Sequence, residues 1–450
     1  MQALPPDFTV RMQQQLGADY DAFEAALQTP APVSLRINPL KLKSELHATP
    51  VTWCPTGYYL NERPLFAADP WWHAGVYYVQ EAGSMTLEQA FRKAQSLINA
   101  PLTVLDLCAA PGGKSTHLAA MLTADDVLVS NEVIRSRVGV LAENMARWGY
   151  ANSLITNADS EDFKNCGPVF DIIITDVPCS GEGLFRKDPN AVNEWSTANT
   201  ELCTLRQKRI IENIEHCLKP GGYLIYSTCT YNPGENEVIT ESLINKGWQP
   251  IAFSIGNEAK YCHQLMPHTH RSEGFFIALL QKPLSSETAS SRTKPVLKKI
   301  KDQRKADDYF TSPLELFEIK KHTVALSENT AAVYETLVPH INIYSAGIAV
   351  TETADTLQTP SPLLPFYSAF NTDAFSTLEL NDAQALQYLR REALPWSGAG
   401  KGYTLLQYKG QNIGFGKMAG NRINNLFPSE WRLRKSIPLS DFFSLESLAK

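Results

Sequence analysis

The sequence predicts an α/β protein built on a doubly wound, Rossmann-like sheet, preceded by a small α/β lead-in and followed by a mixed C-terminal region. Three observations carry this. From Leu102 onward the patterns of strand, loop and helix alternate, which means parallel strands joined by right-handed crossovers. Ile172, Ile173 and Ile174 follow one another without alternation, as in a strand covered on both faces. Acids, glycines and thiols recur where the strand patterns end, the side on which open α/β sheets bind ligands.

In chain order, Pro6 to Gln28 has helical character with Phe8, Met12, Leu16 and Tyr20 on one face, and Ser34 to Ile37 is a short strand closed by Asn38-Pro39. Trp53 to Leu60 is a turn feeding a strand, and a helix is expected from Ala82 to about Ile98. Thr103 to Leu107 is the first strand of the main sheet. Cys108 to Lys114 is its loop, and Ser115 to Met121 its helix, with Ser115 or Thr116 near the N-cap. Val127 to Glu132 and Ser153 to Asp159 are further strands ending in acids, with a helix from Arg135 to Trp148 between them. Asp171 to Gly183 is the next strand and its loop. A helix from Thr200 to Cys217, a turn at Pro220-Gly221-Gly222 and a strand from Tyr223 to Ser227 lead to Thr228-Cys229-Thr230, and Gly274 to Leu280 closes the unit. The expected division is a lead-in over 1–72, the main domain over 73–283, a basic linker over 284–308 and a C-terminal region over 309–450.

At 450 residues, 44% hydrophobic and 20% charged, the chain suits a soluble protein of two or three domains. It has no long apolar run, so no membrane span is expected, and MQALPPDFTVRMQQQ lacks a secretory pattern. The eight cysteines form no CxxC pair, so a cytoplasmic protein with free thiols and no metal knuckle is expected. A monomer is the expected state. The net charge of −6 argues against a nucleic-acid partner until its distribution is considered. Seven Lys or Arg face one acid, Asp302, between Arg292 and Lys305, and seven face Glu430 between Lys401 and Lys435. The second stretch interleaves Tyr403, Tyr408, Phe415 and Trp431, and these with Trp396 just before it either stack on bases or fill a core. RNA binding through such a surface weakens steeply with salt.

Paired glycines, Gly112-Gly113, replace the dinucleotide fingerprint GxGxxG. They still let a ligand approach the backbone at a helix N-terminus. Glu132, twenty residues after Gly112, stands where an acid accepts from ribose hydroxyls, and Asp159 one strand further on where it accepts from an adenine amino group; as isolated residues both also suit turns and caps. A nucleoside without pyrophosphate fits best, and S-adenosylmethionine is such a ligand. Cys179 and Cys229, at two strand ends, suit methylation at pyrimidine C5, where a thiolate adding to C6 turns the ring into a carbon nucleophile. Lys114 is placed to favour the thiolate, and Asp176, if burial raised its pKa, to hydrogen-bond cytosine N3. On the residues alone, Pro178-Cys179 is the naive choice of nucleophile, since DNA cytosine methyltransferases use a Pro-Cys thiol.

CAAPGGKSTHLA, TDVPCSGEGLFRKDP and YSTCTYNPGENE resemble the signature blocks of the Sun-type RNA cytosine-C5 methyltransferases, and Glu182 to Lys187 resembles the bacterial branch that modifies small-subunit ribosomal RNA. The resemblance runs from about Ser34 to Lys282, and the glycine-rich C-terminal region is similar to that branch's PUA-like RNA-binding domain. It implies that Cys229 is the nucleophile, that Cys179 assists elimination of the product, and that Asp176 contacts the target base. It also implies an S-adenosylmethionine pocket lined by Cys108, Ala109, Ala110, Pro111, Gly112, Gly113, Lys114, Glu132, Asp159 and Asp176, and an RNA partner, either ribosomal RNA or the assembled small subunit. Competing readings are action on transfer or another RNA, a non-catalytic assembly factor with the same fold, and methyl transfer to a protein or small molecule.

Overall fold

The computed structural model describes residues 3–284, 296–300, 307–351, 359–397, 400–438 and 441–449. The lead-in holds α1 (Pro6–Leu16), α2 (Tyr20–Leu27), β1 (Val33–Ile37), β2 (Thr49–Val51), β3 (Cys54–Leu60), α3 (Pro70–His73) and β4 (Tyr77–Val79). The helix expected over Pro6 to Gln28 is two: Gly17 turns left-handed at φ 54° and ends α1, and a short 3₁₀ turn re-aims the chain into α2. Phe8, Met12 and Tyr20 stay on the buried face of both pieces.

The central part runs α4 (Leu87–Gln95), β5 (Thr103–Asp106), α5 (Gly113–Ala119), β6 (Val127–Asn131), α6 (Arg135–Trp148), β7 (Ser153–Thr156) and β8 (Phe170–Asp176). It continues through α7 (Pro189–Glu194), α8 (Thr197–Ile214), β9 (Leu218–Thr228), α9 (Glu237–Asn245), β10 (Gln249–Pro250), β11 (Phe253–Ile255), β12 (Glu258–Lys260), β13 (Cys262–Leu265) and β14 (Phe275–Gln281). Ser196, whose side chain accepts from Asn199 N–H, starts α8 three residues before the expected Thr200. Helix α5 begins at Gly113 behind Gly112, so Ser115 lies inside the helix rather than capping it.

The linker itself holds β15 (Lys298–Lys299), and beyond it stand β16 (Glu315–Ile319), β17 (His322–Leu326), α10 (Glu328–Leu337), β18 (Ile343–Ala346) and β19 (Ile348–Thr351). They are followed by β20 (Ser376–Glu379), α11 (Asp382–Leu389), β21 (Leu394–Pro395), β22 (Gly402–Tyr408), β23 (Gln411–Ala419) and β24 (Arg422–Asn425).

The central sheet has the order β10-β14-β9-β8-β5-β6-β7-β18, with β13 also pairing β14. Strands β5 to β9 are parallel, and β14 closes one side antiparallel to β9. Strand β18, from beyond the linker, pairs antiparallel with β7 and so forms the other edge of the sheet. Ile172 and Ile174 join the core on one face and Ile173 the core on the other, all fully buried, so the unbroken isoleucine run is a two-sided strand. The chain reverses between β5 and its two neighbours, β6 and β8, which places the ligand crevice at their carboxyl ends. Among the described residues no helix is long and apolar enough to cross a membrane.

The lead-in and the C-terminal sheet (β20-β22-β23-β24-β21) share one core, in which Leu35, Tyr58 and Tyr77 pack with Tyr388, Leu406 and Phe427. Of the aromatics proposed to stack on bases, Tyr408 and Phe415 are core residues, and Trp431 lies under the Arg147 guanidinium at 4.7 Å. Tyr403 is partly exposed, with Lys417 Nζ 5.1 Å from its ring centre, and Trp396 is half-buried against the shared core. Lys401, Lys409, Lys417, Arg422, Arg432, Arg434 and Lys435 are all exposed. In the linker, Lys298 and Lys299 are paired with Glu318 and Glu315 across β15 and β16; Arg292, Lys294, Lys301, Arg304 and Lys305 lie outside the described residues.

Candidate active site

The two thiols meet because β8 and β9 are neighbours in register: Asp176 pairs with Ser227, so the loops that follow leave the same end of the sheet side by side. Cys179 sits three residues past that point and Cys229 two, and their sulfurs are 3.1 Å apart. Lys114 arrives from the first turn of α5, which follows β5, the strand on the other side of β8, and its Nζ donates to Asp176 Oδ2 at 2.7 Å. Ser227 Oγ donates to Asp176 Oδ1 at 3.0 Å. Thus Asp176, Cys179, Cys229 and Lys114, spread over 116 positions of sequence, form one cluster.

Asp176 is not the buried acid expected from the sequence: its side chain is 33% exposed and ion-paired with Lys114. Burial alone would pull Lys114 down, but Asp176 beside it, with Asp106 and Cys229 further off, holds its pKa above the ordinary lysine value. Cys179 is pushed well above the ordinary thiol range, first by its hydrogen bond with Cys229 and then by burial.

Behind this cluster the Cys108 to Lys114 loop is fixed from α6: Arg137 donates to Ala110 O at 2.7 Å, and Asn144 to Pro111 O at 2.8 Å. Ala109 and Ala110 are buried, and burial raises the Cys108 thiol far above its usual range. Gly112 has φ 114°, where a side chain is strained, and a Cβ on Gly113 would touch the Tyr78 ring at 3.4 Å. Glu132, just past β6, is buried; it accepts from Ile134 N–H at 2.8 Å and lies 3.4 Å from Arg137. Asp159, just past β7, is taken up by its neighbours. It accepts from Glu161 N–H at 3.0 Å and from Arg209 at 3.2 Å, a turn cap and an exposed ion pair. Those contacts outweigh partial burial and hold its carboxyl below the usual value.

Sequence reasoning missed Asp106, at the end of β5. It is fully buried, Ser115 Oγ donates to its Oδ2 at 2.6 Å, its Oδ1 has no partner, and burial raises it to about 7. An acid closing an apolar strand was the available signal. The loop's glycines offer close backbone approach, and the unpartnered Asp106 oxygen and the Glu132 carboxylate are acceptors that fit the amino group and ribose hydroxyls of S-adenosylmethionine. Also missed was Glu182, fully buried, which accepts from Arg11 at 2.6 Å, Trp195 Nε1 at 2.9 Å and Tyr231 N–H at 3.2 Å, tying α1 to both thiol loops. Cys54, Glu88 and His117 are buried with donor atoms within 4.8 Å of one another. One proton on His117 Nε2, donated to Glu88 at 3.1 Å, accounts for this group, and a cation there would meet the buried Arg36.

Residues 99–281 match the family described as 16S rRNA methyltransferase RsmB/F, residues 4–82 the N-terminal domain of 16S rRNA methyltransferase RsmF, and residues 375–433 the methyltransferase RsmF PUA domain. The chain is 31% identical to the ribosomal RNA small subunit methyltransferase F of Aliivibrio fischeri (strain MJ11), with 95% of this chain and 97% of that protein covered. To the protein of the same name from Escherichia coli O7:K1 it is 31% identical, with 95% and 96% covered. Among solved structures, a methyltransferase homolog protein from Pyrococcus horikoshii is 27% identical with a TM-score of 0.53 over 61% of this chain and 94% of that one. NSun6 from the same organism, solved with SFG, shares the fold at 21% identity and a TM-score of 0.53, over 62% of this chain and 98% of that one.

Proposed function

Since the chain belongs to the ribosomal RNA small subunit methyltransferase F family, an S-adenosylmethionine-dependent group, we propose that it methylates cytosine C5 in small-subunit ribosomal RNA through a transient bond from Cys229 to C6. The observation that carries this is the pair of sulfurs 3.1 Å apart beside the Lys114–Asp176 pair. When bound, S-adenosylmethionine supplies an electrophilic methyl group.

The chain's residues do the rest. Cys229 Sγ adds to C6 as the thiolate, and the C5=C6 electron pair becomes a nucleophile at C5. Asp176, held by Lys114 and Ser227, faces the base, and the proton that the Cys229 thiol gives up on attack reaches N3 by way of the Asp176 carboxylate and offsets charge on the ring. After methyl transfer Cys179, its own proton lost to solvent, takes the C5 hydrogen as a proton; the C5–H electron pair restores C5=C6, and the C6–S pair leaves with Cys229 as its thiolate. Residues 73–283 carry this chemistry, while the lead-in (1–72) and the PUA domain within 309–450 bring the RNA to it, with its target cytosine flipped or single-stranded.

The test is a pair of thiol variants incubated with 16S RNA and donor, then run on denaturing gels. Cys229→Ala forms no covalent adduct, whereas Cys179→Ala accumulates one. An adduct in Cys229→Ala and none in Cys179→Ala reverses the two roles. Bisulfite sequencing of ribosomal and transfer RNA after reaction with each decides the substrate.

A further inference from the structure

Two fully buried side chains behind Cys179 take no part in the chemistry above: Gln207, on α8, and Glu235, past the Cys229 turn. Glu235 Oε2 accepts from Ser180 N–H at 3.0 Å and from Gln207 Nε2 at 2.9 Å. The same Gln207 nitrogen donates to Pro178 O at 3.1 Å. The residues before and after Cys179 are therefore both gripped by one pair. The grip is costly, because Glu235 Oε1 and Gln207 Oε1 are buried without partners, and such groups are rare unless something requires the geometry.

The Cys229 side is held by other means. Cys229 O accepts from Gly183 N–H at 2.8 Å, Tyr231 N–H goes to Glu182, and Thr230 O accepts from Asn236 at 3.0 Å. The two loops touch, the Ser180 and Thr230 hydroxyls standing 2.8 Å apart, but the side-chain bonds of Gln207 and Glu235 reach only the residues that flank Cys179.

We propose that Gln207 and Glu235 are positioning residues for Cys179, serving release of the methylated base rather than formation of the Cys229 adduct. This rests on the two-thiol reading above. In release the C5–H bond breaks, its electrons form C5=C6, the C6–S electrons return to Cys229 and the proton passes to Cys179 as its thiolate, so that sulfur must stand at a fixed point. A thiol displaced by about 1 Å costs on the order of 100-fold in such a step. Glu235 also adds negative charge near Cys179, acting in the same direction as its burial.

The experiment uses the full-length chain, 16S RNA and S-adenosylmethionine, with Gln207→Leu, Glu235→Ala and Glu235→Gln beside Cys179→Ala. Adduct appearance is timed in single turnover, and adduct decay and methylated product in multiple turnover. Gln207→Leu and Glu235→Ala are expected to form adduct within about 3-fold of the wild-type rate but to resolve it at least about 10-fold more slowly. Glu235→Gln, whose amide oxygen can still accept from Ser180, recovers most of that loss. Formation and decay falling together in all three clamp variants, or decay unchanged in the first two, overturns the proposal. If Cys179→Ala itself accumulates no adduct, the two-thiol reading fails first. Cys179→Ala accumulating adduct while the clamp variants turn over normally refutes the clamp alone.

Discussion

At the scale of single residues, the two sulfurs were legible because each closes a strand pattern, and strand ends are where a sheet of this kind presents chemistry. What fixes them was not. Gly183 reads in the sequence as one more loop glycine, yet a Cβ there would stand 2.5 Å from Gly274 O and 2.8 Å from Cys229 O. Real Cβ atoms do not approach backbone so closely, so the neighbours must move, and one of them is the nucleophile's own carbonyl. Gly183→Ala should lower the rate of adduct formation by at least about 10-fold and destabilise the fold by ~1–3 kcal/mol, the usual range for an overpacked site. Single-turnover gels together with urea unfolding check both; a variant forming adduct at the wild-type rate would show that the Cys229 backbone has room to shift. Asp176 shows the opposite case. Its type and position were readable, but its exposure and its ion pair depend on Lys114, which is 62 residues away and meets it only when β5 pairs with β8.

At the scale of elements, the repeating strand and helix patterns were read within a few residues because hydrophobic periodicity decides them locally. Gly17 split a helix that apolar spacing alone joined, and β18 joined a sheet whose other strands lie much earlier in the chain. Neither periodicity nor composition reports such pairing. The same holds for Arg186, which knits three elements: it donates to Glu273 at 3.1 Å, to Ser272 O at 2.8 Å, and to Ala26 O and Thr29 at the end of α2. Both side chains of the Arg186–Glu273 pair are only 4% exposed. Burial already raises the Glu273 carboxyl, and Arg186 is what opposes it. Arg186→Met should therefore cost ~3–5 kcal/mol, as breaking a buried pair from one side does. The double variant Arg186→Met, Glu273→Leu should regain most of that in urea unfolding. A single variant losing under ~1 kcal/mol would mean that water reaches Glu273.

At the scale of the whole molecule, a single core joins chain ends that the sequence presents as separate regions, and Asp69 shows how. It is buried at the start of α3, and its carboxylate accepts from Trp71 N–H at 2.9 Å, Tyr77 Oη at 3.0 Å and, 376 residues away, Leu445 N–H at 2.8 Å. Burial lifts it to about 7 despite those bonds. Below that pH the folded chain holds a proton that the unfolded chain releases until about pH 4, so acidification stabilises the fold through Asp69 by up to ~1.4 kcal/mol per pH unit. Asp106, also raised to about 7, acts alike. Buried His73 and His117, held down to about 3 and about 4, act in reverse, because only the unfolded chain takes up their protons below about 6.5. Two groups of each sign nearly cancel between about pH 6.5 and 4. Asp69→Asn removes one stabilising member, so its deficit relative to wild type should widen on acidification, by ~2–3 kcal/mol between pH 7.5 and 4.5 in urea unfolding. A deficit constant over that range would place the Asp69 proton outside the window and leave the junction of the two chain ends indifferent to pH.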